Sequence, residues 1–94
     1  MNTEPEARAR FQIANALGLH ARAATKLVQL ATKFPCEITV GRDGQTANAK
    51  SVMGVLLLCG SKGTSLEIEA QGENAEQAVA EIGKLIEARF GEDE

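Results

Sequence analysis

Cys36-Glu37-Ile38-Thr39-Val40-Gly41-Arg42-Asp43-Gly44-Gln45-Thr46-Ala47-Asn48-Ala49 is the stretch that decides the fold. Cys36, Ile38 and Val40 alternate with Glu37 and Thr39, the period of two that gives a strand one buried and one wet face. Asp43-Gly44 follows, a pair that tolerates positive φ at both central positions of a tight turn. Thr46 to Ala49 is then the short return strand of a hairpin. Two strands joined this way run antiparallel, and a one-sided antiparallel sheet must bury its apolar face against helices.

The flanking segments supply both strands and helices. Arg8 to Ile13 alternates, with Phe11 and Ile13 on one side and Arg10 and Gln12 on the other. After the break at Leu17-Gly18-Leu19, the residues Ala24, Leu27, Val28, Ala31 and Phe34 recur at helical spacing until Pro35 stops the helix. Beyond the hairpin, Ser51 is placed to cap a short helix over Val52 to Cys59, with Gly60 and Gly63 at its exit. Leu66, Ile68 and Ala70 alternate with Ser65, Glu67 and Glu69 as a fourth strand. Asn74-Ala75-Glu76-Gln77 has the look of a capping box, and Ala75, Ala78, Val79, Ile82, Leu85, Ile86 and Phe90 draw the stripe of a long last helix. The order β-α-β-β-α-β-α predicts an α+β open-faced β-sandwich, a four-stranded antiparallel sheet covered on one face by three helices.

Composition narrows the function. The 94 residues are 44% hydrophobic and 24% charged, enough for one domain over 1–94 with one core, the ends at 1–6 and 91–94 expected to be loose. Three Phe, no Tyr or Trp and a net charge of −3 argue against nucleic acid as a partner. The longest apolar run, Val55 to Cys59, is far short of the roughly 18 residues of a membrane span, and no signal-peptide core opens the chain. A cytoplasmic monomer is the expectation. Residues 1–64 carry eight Lys/Arg and four Asp/Glu, whereas residues 65–94 carry two and nine. The first two thirds therefore work in a mildly basic field. Cys36, Cys59 and the lone histidine cannot make a structural zinc site, so no metal and no cofactor are expected, and both thiols read as core residues.

Three features carry chemistry. His20, the only histidine, follows Gly18-Leu19 at the start of the first helix with Arg22 two residues on. A helix N-terminus offers free N–H groups and the positive end of the macrodipole, and Arg22 adds a planar cation suited to phosphate oxygens. A ring nitrogen placed there can hold a phosphoryl group, although on spacing alone a histidine that only caps its helix, beside an arginine that is merely exposed, is the commoner case. Ser51 is a second candidate, since phosphate on an N-cap serine also sits at a helix N-terminus, although most such serines simply cap. The third is the short helix, apolar nearly all round at Val52, Met53, Val55, Leu56, Leu57 and Leu58. A two-layer domain cannot bury all of that surface, and an exposed apolar patch commonly meets a protein partner.

Gly18-Leu19-His20-Ala21-Arg22-Ala23-Ala24 closely resembles the active-site signature of the histidine-containing phosphocarrier (HPr) family of the bacterial phosphotransferase system. Ala49-Lys50-Ser51-Val52-Met53 resembles the family's regulatory-serine segment, and the likeness runs from Arg8 to Phe90. It implies strand order 1-4-2-3 and a carrier that is not itself an enzyme. On this likeness His20 accepts a phosphoryl group on Nδ1 from a phosphohistidine of enzyme I and passes it to an enzyme IIA component. Arg22 and the backbone N–H groups of Ala21 and Arg22 would steady the phosphate. Val52, Met53, Leu56 and Leu57 would dock partners, and Ser51 matches a serine modified in some bacteria by HPr kinase/phosphorylase. A regulatory protein that acts through Ser51 phosphorylation and binds a transcription factor is the alternative function, and a partner-binding module with a vestigial site is a third.

The departures from the family pattern are informative. Ala23 stands where the family usually has proline, which loosens the first helical turn. Gln29 and Thr32 replace lysines common in sugar-branch carriers. Leu17, Ser51-Val52-Met53-Gly54 and the acidic Gly91-Glu92-Asp93-Glu94 look more like the nitrogen-branch carriers (NPr).

Overall fold

The computed structural model describes residues 5–94. Of the loose end expected at 1–6, residues 1–4 lie outside the described residues and Glu6 already opens the first strand. Along the chain come β1 (Glu6–Gln12), α1 (Ala21–Ala31), β2 (Glu37–Arg42), β3 (Gln45–Asn48), α2 (Val52–Leu57), β4 (Ser65–Gln71) and α3 (Ala75–Glu87). A short left-handed turn, Arg89–Gly91, follows α3. The strands form one antiparallel sheet in the order β1-β4-β2-β3. The expected α+β open-faced sandwich and its 1-4-2-3 strand order are therefore both found.

β4 sits between β1 and β2, and its residues explain why. Leu66, Ile68 and Ala70 are all buried, Ile68 lying opposite Ala9 of β1 and Val40 of β2. Truncating Ile68 to alanine would cost about 2–5 kcal/mol, the usual range for a buried aliphatic. The other face of the same strands is wet and charged. Arg8 pairs with Glu69 at 2.6 Å and Arg10 with Glu67 at 3.7 Å, each directly across from its partner. Exposed cross-strand pairs of this kind contribute at most about 1 kcal/mol each.

The helices close the other face, with α3 packed on β1 and β4 and α1 packed between α2 and α3. Phe11 lies flat against α3 at Gly83, where an added Cβ would stand 2.2 Å from the ring. A mid-helix glycine costs about 0.5–1 kcal/mol, and here it admits an aromatic ring to the helix backbone. The hairpin turns at Asp43 (φ 48°) and Gly44 (φ 84°), the double positive φ that Asp-Gly implies.

Five local expectations need correction, the first being the last helix, which ends at Glu87 and leaves Phe90 in a left-handed turn. The last turn of α1 tightens after Ala31, Phe34 N–H reaching Ala31 C=O, because the residue before Pro35 is driven from the helical region. α2 ends at Leu57 rather than Cys59, its exit closed by bonds from Leu58 N–H to Val55 C=O and from Cys59 N–H to Leu56 C=O. Cys59 then turns left-handed (φ 54°) and is exposed, so only Cys36 is a core thiol; Leu58 takes the buried place instead. Asn74 precedes α3 in a left-handed conformation and makes no side-chain cap bond, so Asn74-Ala75-Glu76-Gln77 is not a capping box.

Candidate phosphate-accepting site

His20 stands at the N-cap of α1 in extended backbone geometry (φ −77°, ψ 176°). Three backbone bonds hold it there. Leu19 N–H donates to Gly60 C=O at 2.8 Å, His20 N–H to Gly18 C=O at 3.0 Å, and Ala24 N–H to His20 C=O at 2.9 Å. Gly18 has φ +65°, and a Cβ on it would meet Gly60 O at 2.4 Å, so only glycine lets this loop lie against the one that leaves α2.

The imidazole takes the place of a capping oxygen. Its Nδ1 accepts from Arg22 N–H at 3.3 Å, the long side of the hydrogen-bond range. No acidic residue stands in the first turn of α1, so the positive end of the helix dipole is not offset from within the helix. Ala21 and Arg22 are exposed, and among the described residues no ion pair or hydrogen bond engages the Arg22 guanidinium. Ala23 is fully buried, its methyl part of the core in the place where proline was the family expectation.

The other ring nitrogen has a partner that the sequence reading passed over. His20 Nε2 is hydrogen-bonded to a carboxylate oxygen of Glu92. The second oxygen of Glu92 accepts from Asn15 Nδ2 at 3.0 Å, and the same amide donates to Gly18 C=O at 2.8 Å. Asn15 is fully buried, the one polar residue among the buried side chains of the described residues. The Glu92 carboxyl is held below the ordinary carboxylate range, chiefly by the His20 hydrogen bond, against a smaller opposing effect of burial. The Asn15 bond and the charges of His20 and Lys26 lower it further. Residues 91–94, expected to be loose, thus include a residue bonded to the site. Ala16, Leu17, His20, Arg22, Glu92, Asp93 and Glu94 line an open cleft of about 660 Å³ around the ring.

Ser51 occupies the corresponding position on α2. Its Oγ accepts from Gly54 N–H at 3.1 Å, so it caps the helix as expected. It does not line the His20 cleft, nor does any residue of α2. Of the apolar residues expected to dock partners, Met53 and Leu57 are 68% and 69% exposed, whereas Val52 and Leu56 are half-buried against the core. Leu17, 72% exposed beside His20, is an apolar surface residue that the pattern did not single out as a contact. The proximity of Glu92 to His20 has no local signature, since it depends on how distant segments meet.

Comparison with known proteins identifies the family. Residues 7–88 match the PTS-HPr family, described as the PTS HPr component phosphorylation site. Phosphocarrier protein HPr of Xylella fastidiosa is 46% identical over 81 residues, 86% of this chain and 91% of that protein. Phosphocarrier protein NPr of Shewanella violacea is 44% identical over 80 residues, 85% of this chain and 88% of that one. The crystal structure of HPr-C-His from Thermoanaerobacter tengcongensis superposes with a TM-score of 0.90 at 40% identity, over 94% of this chain and 99% of that chain. With a matched segment that holds both α1 and α2, and relatives that align over most of their own length, the chain belongs to the HPr family of the phosphotransferase system.

Proposed function

We propose that this protein, a phosphocarrier of the phosphotransferase system, carries its phosphoryl group on Nδ1 of His20. It accepts the group from a phosphohistidine of enzyme I and passes it to an enzyme IIA component. The observation that supports this choice of atom is the bond from Arg22 N–H to Nδ1. A nitrogen that accepts there presents its lone pair toward the N-terminus of α1, where an incoming phosphate meets free N–H groups and the helix dipole. When Nδ1 is phosphorylated, the N–H groups of Ala21 and Arg22 become donors to phosphate oxygens, and the unengaged Arg22 guanidinium closes over them. The carrier is not an enzyme; rate comes from the partners that bring a second histidine in line.

Met53 and Leu57, with Val52 and Leu56 beneath them, make the apolar surface on which those partners dock. Ser51 is the second modification site, open to HPr kinase/phosphorylase in a host that has one, and phosphate there acts on docking by a regulatory or transfer partner. The unit is a cytoplasmic monomer formed by a single domain over residues 1–94. Incubation with phosphoenolpyruvate and enzyme I tests the assignment. One acid-labile, base-stable label per chain, lost in His20→Ala, supports it; a label that survives His20→Ala overturns it.

A further inference from the structure

We propose that Glu92 is a positioning residue for phosphoryl transfer, one that fixes the proton of His20 on Nε2 and so leaves Nδ1 as the nucleophile. The inference rests on His20 Nδ1 as the phosphoryl acceptor. Glu92 itself lies beyond residues 7–88, which the family comparison matches.

The tail is built to reach the ring. After α3, Arg89, Phe90 and Gly91 are all left-handed (φ 58°, 54° and 79°), and the first two are residues that seldom hold such a conformation. Three contacts hold it. Phe90 is fully buried, Lys26 Nζ donates to Phe90 C=O at 2.6 Å, and Glu92 N–H donates to Arg89 C=O at 2.9 Å. Lys26 belongs to α1, so the helix that presents His20 also anchors the segment that presents Glu92. Buried Asn15 then fixes the carboxylate by binding one of its oxygens, and the other oxygen meets Nε2.

A neutral imidazole has one N–H donor and one acceptor nitrogen. Glu92, ionised, can only accept, and Arg22 N–H can only donate. The single tautomer that satisfies both is N–H at Nε2 with the lone pair on Nδ1. In transfer, that lone pair forms the P–Nδ1 bond as the P–N bond of the donor phosphohistidine breaks and its electron pair returns to the donor nitrogen. The proton stays on Nε2. The ring gains a positive charge beside the Glu92 carboxylate, which offsets it, as a buried carboxylate does for an imidazolium elsewhere. Onward transfer reverses the step: the P–Nδ1 electron pair returns to Nδ1 and the neutral tautomer is restored.

The experiment compares wild type, Glu92→Gln and Glu92→Ala in full-length protein by ¹⁵N spectra of the unphosphorylated neutral His20 ring and by single-turnover phosphorylation from phospho-enzyme I. The expected result is an Nε2–H ring in wild type, a mixture of tautomers in Glu92→Ala, and acceptance slowed roughly tenfold to a hundredfold, the range seen for other orienting partners of histidine. The loss should fall on the maximal rate with KM little changed. Glu92→Gln, whose carbonyl can still accept from Nε2–H but carries no charge, should keep the tautomer and transfer at an intermediate rate. An unchanged ring spectrum in Glu92→Ala, or acceptance as fast as or faster than wild type in both variants, overturns the role of Glu92. Labelling that persists in His20→Ala overturns instead the assignment on which it rests.

Discussion

The N-termini of α1 and α2 use the same device for different ends. Each helix is capped by a side-chain atom that accepts a backbone N–H, Nδ1 of His20 in one and Oγ of Ser51 in the other. What separates them is what surrounds the cap. His20 opens on a cleft lined by Arg22, Glu92, Asp93 and Glu94, and its second nitrogen is already engaged. Ser51 introduces a six-residue helix whose outward residues are Met53 and Leu57. A helix N-terminus favours an anion in both places, but only the first brings together an imidazole, an arginine with no partner among the described residues and a carboxylate bonded to the ring. The comparison teaches that capping alone does not make a site.

The sharpest break in that comparison is chemical. His20→Ala should abolish phosphorylation from enzyme I altogether, whereas Ser51→Ala should leave it near wild type, measured as radiolabel per chain. Equal losses in the two variants would mean that the caps act through the fold and not through chemistry.

The next effect sharpens the role of the α2 surface. Met53→Asp or Leu57→Asp should weaken enzyme I binding by about 2 kcal/mol or more, roughly thirtyfold, as for a central apolar anchor. The melting temperature should change little, because both side chains are already exposed. Leu56 is the wrong place for this test, since it packs against the core and a charge there would confuse affinity with stability. Calorimetric titration with enzyme I, beside thermal unfolding, separates the two.

Arg22→Ala should come third. A charge-assisted hydrogen bond is worth about 1.5–3 kcal/mol, so transfer should slow roughly tenfold or more. The domain should stay folded, because the guanidinium has no partner among the described residues. A matching fall in melting temperature would show that Arg22 serves the fold.

These effects divide what was legible in the chain from what was not. The hairpin at Asp43-Gly44, the N-cap at Ser51 and the placement of His20 are local events, decided by residues two to four apart, and each follows from its own short segment. The ends of α1 and α2 were read too long because the period of apolar residues persists through Phe34 and Leu58. The closing turns are instead set by Pro35 and by left-handed Cys59. Asn74 shows a pattern that matched without its geometry, since a left-handed backbone carries the side chain away from the cap. The tail lay furthest from view. Glu92 and His20 are 72 residues apart, and their contact depends on Phe90 being fully buried through a turn whose first two members are not glycine. Gly91 hints at such a turn, but no spacing says that it points at α1.

Smaller than any of these is the effect of acid, and it too distinguishes the two caps. The Glu92 carboxyl is held below its ordinary range when the tail is docked, so the docked, folded state binds a proton less readily than the unfolded chain. Its contribution is fully present above the ordinary glutamate pKa of about 4.3 and is lost as pH falls through the lowered value. The charged groups that face it are His20, Arg22 and Lys26 from α1, and Asp93 and Glu94 from the tail itself. The measurement is the difference in melting temperature between wild type and Glu92→Gln as pH is lowered. That difference should hold from neutrality to about pH 5 and shrink below pH 4. Ser51→Ala removes an uncharged cap worth about 1 kcal/mol, or about 4–8 °C in a domain of this size. Its deficit depends on no carboxylate, so it should stay level over the same range. If the Ser51→Ala deficit falls with pH in parallel with that of Glu92→Gln, the acid effect belongs to the whole fold, and the two helix ends differ less than their surroundings imply.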